Sequence, residues 1–280
     1  LGQVGRAGAG AFSMTGQPNA MGGREVGGLA NQLAAHMDIL KPEHRDLVSR
    51  FWQTDAVAER PGLKAVDMFE AMASGKIRFV WIIATNPLVS LPDANRVRDA
   101  LVACDCVVVS DCVDDTDTLR LADIRLPAAG WGEKDGTVTN SERRISRQRA
   151  FLPLPGEAKP DWWALSQVAK YLGHAQAFDY SNSAAIFREH AALSAFENNG
   201  SRDFDIGALA TCSDADYDAL MPVQWPVPTA QAEGTARLFS DGHFFTPTGR
   251  AQFLDAHPQA AKTSSPSLPF LLNSGRIRDQ

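Results

Sequence analysis

Apolar positions change period several times along this chain, and the changes divide it into elements. From Glu25 onward, Val26, Leu29, Ala30, Leu33 and Ala34 recur at three- and four-residue steps, which predicts a helix that Pro42 stops. Two more helices are predicted over residues 43–52 and 64–74, the second with Ala65, Met68, Phe69 and Met72 in one apolar stripe. The pattern then becomes continuous. Ile77 to Ala84 is a nearly unbroken apolar run, followed by Thr85-Asn86-Pro87, a helical stretch near residues 92–104 and the run Val107-Val108-Val109. Near-continuous apolar strands joined by a helix are what a buried parallel sheet requires, so a βαβ unit is predicted here. A third strand at Ile124-Arg125-Leu126 follows the polar turn 114–118.

Beyond Pro153 the chain becomes irregular, with three prolines between 153 and 160. Asp161 precedes Trp162, Leu165, Val168, Ala169 and Leu172, an amphipathic helix with an acidic residue at the expected N-cap. Another helix is predicted over residues 183–197, a Pro- and Gly-rich loop region over 222–269, and a new strand from Phe270. The opening, Gly2 to Gly28, carries nine glycines, so its choices are a disordered linker or a loop pressed against a ligand. Phe12, Met14, Asn19, Met21, Arg24 and Glu25 among them favour the ligand-facing loop.

Composition narrows the function classes. A formal net charge of -6 argues against nucleic acid as a partner, because phosphate binding needs a basic face. No apolar run approaches the roughly 20 residues of a membrane-spanning helix, so no membrane is expected, and no secretory signal is visible at the start. The missing initiator Met points to a processed chain or a fragment. Cys104, Cys106 and Cys112 have neither zinc nor iron–sulfur spacing; placed on one strand they would share a face as small buried hydrophobes. The histidines are scattered, and the chain has no His-Glu-x-x-His, no Gly-x-Ser-x-Gly, no Gly-x-Gly-x-x-Gly after a strand and no P-loop. No catalytic residue and no metal ligand is assigned.

Candidate chemistry sits instead at strand ends, where parallel sheets collect ligands. Asn86 and Ser110 can supply donors to a phosphate or sugar, and Asp111 can accept from a guanine edge or ribose hydroxyls. These residues are equally at home as ordinary turn and cap positions. Residues 130–149 are the most unusual stretch: Lys134 in a glycine-bracketed loop could reach an anion, and Arg143, Arg144, Arg147 and Arg149 follow. A solvated basic face paired with neighbouring acids is the competing reading.

Four segments together resemble a known family: residues 12–31, with Thr-Gly-Gln-Pro-Asn-Ala at 15–20; residues 84–94; residues 122–144, with Gly-Glu-Lys-Asp-Gly and Asn-Ser-Glu-Arg-Arg; and residues 272–280. In this order they resemble the prokaryotic molybdopterin oxidoreductases, most of all the assimilatory nitrate reductase catalytic subunits. The resemblance implies an α/β fold: the latter part of a Rossmann-like parallel sheet with helices on both faces over residues 1–152, a smaller helical and irregular region over 153–267, and the stub of a C-terminal β domain over 268–280. It also implies a molybdenum bis(molybdopterin guanine dinucleotide) cofactor, contacted by the positions matching Asn86, Ser110, Asp111, Lys134, Asp161, Ser274, Gly275 and Arg276. The Gly16-Gln17-Pro18 loop is expected near the metal end.

By the same resemblance the intact enzyme would be cytoplasmic and would reduce nitrate to nitrite with electrons from a donor protein or reductase subunit, through a 4Fe-4S cluster. The cluster cysteines and the molybdenum ligand of the family have no counterpart in this chain, so an internal, inactive fragment is expected. Formate dehydrogenase catalytic subunits share several of these features, and a non-catalytic nucleotide- or protein-binding module of the same fold is a third reading.

Overall fold

The computed structural model describes residues 2–10, 17–229 and 233–253, with positions 255, 257, 267 and 270. Two cores organise it, each built around a three-stranded sheet.

The first core is the expected parallel unit. Strands β1 (Phe79–Ile83), β2 (Cys106–Asp111) and β3 (Ile124–Pro127) pair in that order, all parallel, with Ile82 opposite Val109 and Ser110 opposite Leu126. Side chains alternate across a strand, so Val80, Ile82, Val107 and Val109 share one face. That face packs with Phe69 and Met72 of α3 (Ala65–Ala73) and with Val97, Ala100 and Leu101 of α5 (Ala94–Ala103). Short helix α4 (Pro87–Ser90) starts directly beyond β1, with Pro87 at its first position, where a missing N–H costs nothing. Asp93 caps α5 by accepting from the Arg96 backbone N–H. On the other face Trp81 donates from its indole Nε1 to Ser110 Oγ at 2.8 Å.

The second core joins distant parts of the chain. It holds Ala34, Ala35 and Met37, Leu47 and Val48 of α2 (Pro42–Trp52), and Phe187, Ala191 and Leu193 of α7 (Ser183–Ala195). Phe204, Ile206, Trp225 and Val227 complete it, with Tyr217 of α8 (Asp214–Ala219). Its sheet is antiparallel: β4 (Gly136–Thr139), β5 (Arg144–Gln148) and β6 (Val223–Gln224), with Ile145 facing the core.

Several expectations change. The helix expected from Glu25 is instead a six-residue α1 (Ala20–Glu25) that ends there. Gly27 follows at φ 75, and a Cβ at that position would lie 2.6 Å from the Ala34 backbone nitrogen. The chain therefore reverses tightly, Ala35 N–H donating to the Glu25 carbonyl at 2.7 Å, and the three- and four-residue spacing arises from a loop folding into the core. Residues 136–148 form a hairpin where a charged loop or a solvated face was expected, because Arg147 is buried by the hairpin rather than displayed. Its side chain is 2% exposed, paired with Asp135 at 2.6 Å and Asp218 at 3.1 Å, and its guanidinium lies 4.0 Å from the Tyr217 ring centroid. Cys104, Cys106 and Cys112 do not share a strand face: Cys104 caps α5 and is buried, Cys106 opens β2, and Cys112 lies past its end and is exposed. Asp161 is the first residue of α6 (Asp161–Ala169), with Pro160 at the N-cap. Ser274, Gly275 and Arg276 lie outside the described residues. No helix among the described residues is long and apolar enough to cross a membrane.

Candidate functional site

All three parallel strands end at one edge, and their carboxyl ends open on a shared cleft. Beyond β1 come Ala84, Thr85 and Asn86; β2 ends on Asp111, followed by Cys112 and Val113; beyond β3 come Ala128 to Trp131. Together with Asp115, Thr116, Lys134 and Asp161 these residues enclose about 340 Å³. Residues 127–159 leave β3 and come back to it. Lys159 N–H donates to the Pro127 carbonyl at 3.1 Å and Ala129 N–H to the Lys159 carbonyl at 3.0 Å, so the first turn of α6 is delivered to the same edge. Asp161 is placed in the cleft by this return.

Backbone geometry at the edge is tight. Ala84 has φ 54, the left-handed region that costs a residue with a Cβ roughly 1 kcal/mol or more, and its N–H still donates to the Ser110 carbonyl at 3.0 Å. Asn86 is held rigidly: its Oδ1 accepts from Thr118 Oγ1 at 2.7 Å and from the Thr118 N–H at 3.3 Å. Thr118 is fully buried, and its hydroxyl also accepts from Leu88 N–H at 3.3 Å. Asp111 Oδ1 accepts from the Val113 N–H at 3.2 Å, which fixes the carboxylate at the cleft wall. Gly130 N–H is held by Glu133 Oε2 at 2.8 Å, shaping the loop that carries Lys134.

Electrostatically the cleft sets one cation, Lys134, against three carboxylates, Asp111, Asp115 and Asp161, of which Asp115 is engaged by Arg120 at 2.7 Å. Lys134 Nζ is 3.8 Å from Asp161 Oδ2, with both side chains about a quarter exposed, at 27% and 26%. The same ammonium sits 5.5 Å from the Trp131 ring centroid, a cation–π contact that keeps it over the cleft. Burial pushes the Asp161 carboxyl above the usual carboxylate range; Lys134 opposes the shift and Asp111 adds to it. Asp161 Oδ1 is sealed from solvent and has no hydrogen-bond partner. An unpaired buried acceptor is costly, on the order of 1–3 kcal/mol, and a donor brought by a ligand would remove that cost.

Asn86, Asp111, Lys134 and Asp161 therefore stand around one cavity, whereas the Ser110 side chain does not line it. The Ser110 hydroxyl is buried within the sheet as the acceptor for Trp81, so only its carbonyl contributes, by holding Ala84. Arg143, Arg144, Arg147 and Arg149 are absent from this cleft. Arg144 pairs with Glu142 at 2.9 Å, and Arg149 donates to the Asp218 carbonyl. Two residues that shape the site escaped the sequence reading. Trp131, flanked by Gly130 and Gly132 in the segment already singled out, had a visible signal; Thr118, one polar residue among many in a turn, had none.

The family model described as molybdopterin oxidoreductase matches residues 1–171. The chain belongs to the molybdopterin oxidoreductase family. It is 51% identical over 280 residues to a nitrate reductase of Klebsiella oxytoca, a match covering 100% of this chain and 32% of that protein. It is 32% identical over 284 residues to the assimilatory nitrate reductase catalytic subunit of Bacillus subtilis, covering 99% of this chain and 38% of that protein. A formate dehydrogenase alpha subunit of Methanococcus maripaludis is 31% identical over 283 residues, covering 99% of this chain and 38% of its own length. The chain thus spans about a third of the length of the curated relatives it matches.

Proposed function

We propose that this chain is the part of a molybdenum nitrate reductase that holds the guanine-nucleotide end of a molybdopterin guanine dinucleotide. The observation that carries the reading is the buried, partnerless Oδ1 of Asp161 in a cleft shared with Asp111, Asn86 and Lys134. A guanine edge presents adjacent N–H donors, the partner that two acceptor carboxylates require, and Lys134 is placed to neutralise a phosphate. Trp131, 53% exposed at the rim, offers a flat wall for the base or ribose. Thr118 fixes Asn86, and Ser110 fixes Ala84, so the edge is set before a ligand arrives.

The intact protein, in this reading, works in the cytoplasm in nitrate assimilation and takes electrons from a donor protein through a 4Fe-4S cluster. The bound cofactor supplies two-electron reduction that removes one oxygen atom from nitrate. This chain's contribution is positional: it anchors the nucleotide tail at the sheet edge. The relative named as a formate dehydrogenase favours a second reading in which the same anchor serves formate oxidation.

The test is Asp111→Ala in the full-length protein, with molybdenum and releasable GMP measured on the purified enzyme. Both should fall well below one equivalent of the wild-type content; unchanged content would remove Asp111 from the site. Assaying the wild-type enzyme with nitrate and a reduced dye, then with formate and an oxidised dye, separates the two reactions.

A further inference from the structure

The parallel sheet has two edges, and the chain treats them differently. An edge strand exposes a row of unpaired N–H and C=O groups, which proteins guard with charge, with proline or with a covering segment. β3 has all three guards: Arg125 and Pro127 lie within it, and Lys159 crosses its end, donating to the Pro127 carbonyl at 3.1 Å. β1 has none. Its residues, Phe79 to Ile83, include no charge and no proline, and among the described residues no strand pairs with it on the side away from β2.

The ladder fixes which groups are left over. The Arg78 carbonyl accepts from the Cys106 N–H at 3.1 Å, and the Ala84 N–H donates to the Ser110 carbonyl at 3.0 Å, so even-numbered residues turn their backbone toward β2. Successive residues of a strand point these groups in opposite directions. Phe79, Trp81 and Ile83 therefore present theirs to the open edge. Their side chains lie beside Val108, Ile124 and Leu126 on the face away from α3 and α5. Phe79 is 57% exposed and Ile124 48%, and Val108, although buried, belongs to neither core. Parallel sheets occur with both faces covered, so an apolar face beside an unguarded edge marks a sheet that is larger than these three strands.

Topology says where the next strand comes from. β1, β2 and β3 lie side by side in chain order, each step moving away from the open edge. α3, which leads into β1, packs on the same face as α5, which joins β1 to β2. Crossovers between parallel strands are right-handed, so a strand that enters β1 through α3 must lie on the side opposite β2. The described residues before β1 form no strand. Most of the relative from Klebsiella oxytoca lies outside the match, which covers 32% of that protein.

We propose that β1 is an internal strand in the intact protein, paired along its open edge with a parallel strand from the part of the polypeptide that precedes residue 1. The proposal does not depend on a nucleotide in the Asp111 cleft and survives if that reading fails.

Hydrogen–deuterium exchange on the full-length protein, resolved to single amides across residues 77–84, tests it without a variant. The amides of Phe79, Trp81 and Ile83 should exchange about a hundredfold or more slowly than in the free peptide, as amides of a core ladder do. Exchange at free-peptide rates overturns the paired edge. Photocrosslinking names the neighbour: full-length protein carrying Phe79→p-benzoylphenylalanine should yield crosslinked peptides from upstream of residue 1, at the mass of one chain. Crosslinks at the mass of two chains would put a second copy at the edge and overturn the proposal, as would capture of a segment within or beyond residues 1–280.

Discussion

His190 should make the second core sensitive to acid. Its Nε2 is sealed from solvent without a hydrogen-bond partner, and its ring packs 5.2 Å from that of Phe204. Burial first, and then the charge of nearby His36, lower the His190 pKa from 6.5 to about 4. A group whose folded pKa is depressed below the unfolded value contributes stability that is complete above the unfolded pKa and is lost as pH falls toward the folded one. The window therefore runs from about 6.5 down to about 4. At about 1.4 kcal/mol per pH unit the whole shift amounts to ~3 kcal/mol, of which ~2 kcal/mol is lost by about pH 5. Urea unfolding near pH 7.5 and near pH 5 measures it, with His190→Gln as the reference that removes this titration while other groups titrate in both proteins. The wild type should lose ~2 kcal/mol more than the variant across that interval. Parallel losses in the two proteins would refute the argument, and would mean that the imidazole reaches water or a partner on protonation.

Three other perturbations follow from the same structure. Arg147→Ala removes a buried guanidinium stacked on Tyr217 and leaves Asp135 without its ion-pair partner, so chemical denaturation should show a loss of ~2–4 kcal/mol. Thr118→Val deprives Asn86 Oδ1 of its 2.7 Å donor, which should cost ~1–2 kcal/mol in stability and raise the mobility of residues 84–86 in amide hydrogen exchange. Lys134→Ala should weaken GDP binding by about tenfold or more in equilibrium titrations and flatten its salt dependence; unchanged affinity and salt slope would remove Lys134 from the phosphate side of the cleft.

The first core was legible because one rule governs it. Strands of a covered parallel sheet read as near-continuous apolar runs, and β1 and β2 appear where those runs lie, with α5 between them, whereas β3 is a short and largely exposed edge strand. Strand ends in turn locate ligand-facing loops, which is how Asn86 and Asp111 entered the site before any coordinates. Asp161 is different. Resemblance named it, but its arrival at the cleft depends on the pairing of Ala128 with Lys159, a long-range contact with no trace in local periodicity.

The second core resisted local reading for the same reason. Ala34, Ile145, Phe187, Phe204 and Trp225 belong to five separate segments, and of these only the one around Phe187, α7, is a helix with a buried face of its own. Charged residues misled in one direction. A run with Arg143, Arg144, Arg147 and Arg149 looks solvated, yet Arg147 is buried because Asp135, Asp218 and the Tyr217 ring supply what water would. Glycine misled in the other: the apolar spacing after Glu25 imitates a helix, and only the positive φ of Gly27 shows why the chain turns back.

In the proposed function the sheet edge between Asp111 and Lys134 receives a guanine nucleotide. Photolabelling with 8-azidoguanosine diphosphate, followed by peptide mapping, tests it most directly, because covalent capture registers even weak occupancy. Label should fall on peptides carrying residues 112–116 or 131–134, compete with GDP more strongly than with ADP, and drop sharply in Asp111→Ala. Label placed elsewhere, or equal labelling of the wild type by the adenosine analogue, would contradict the account.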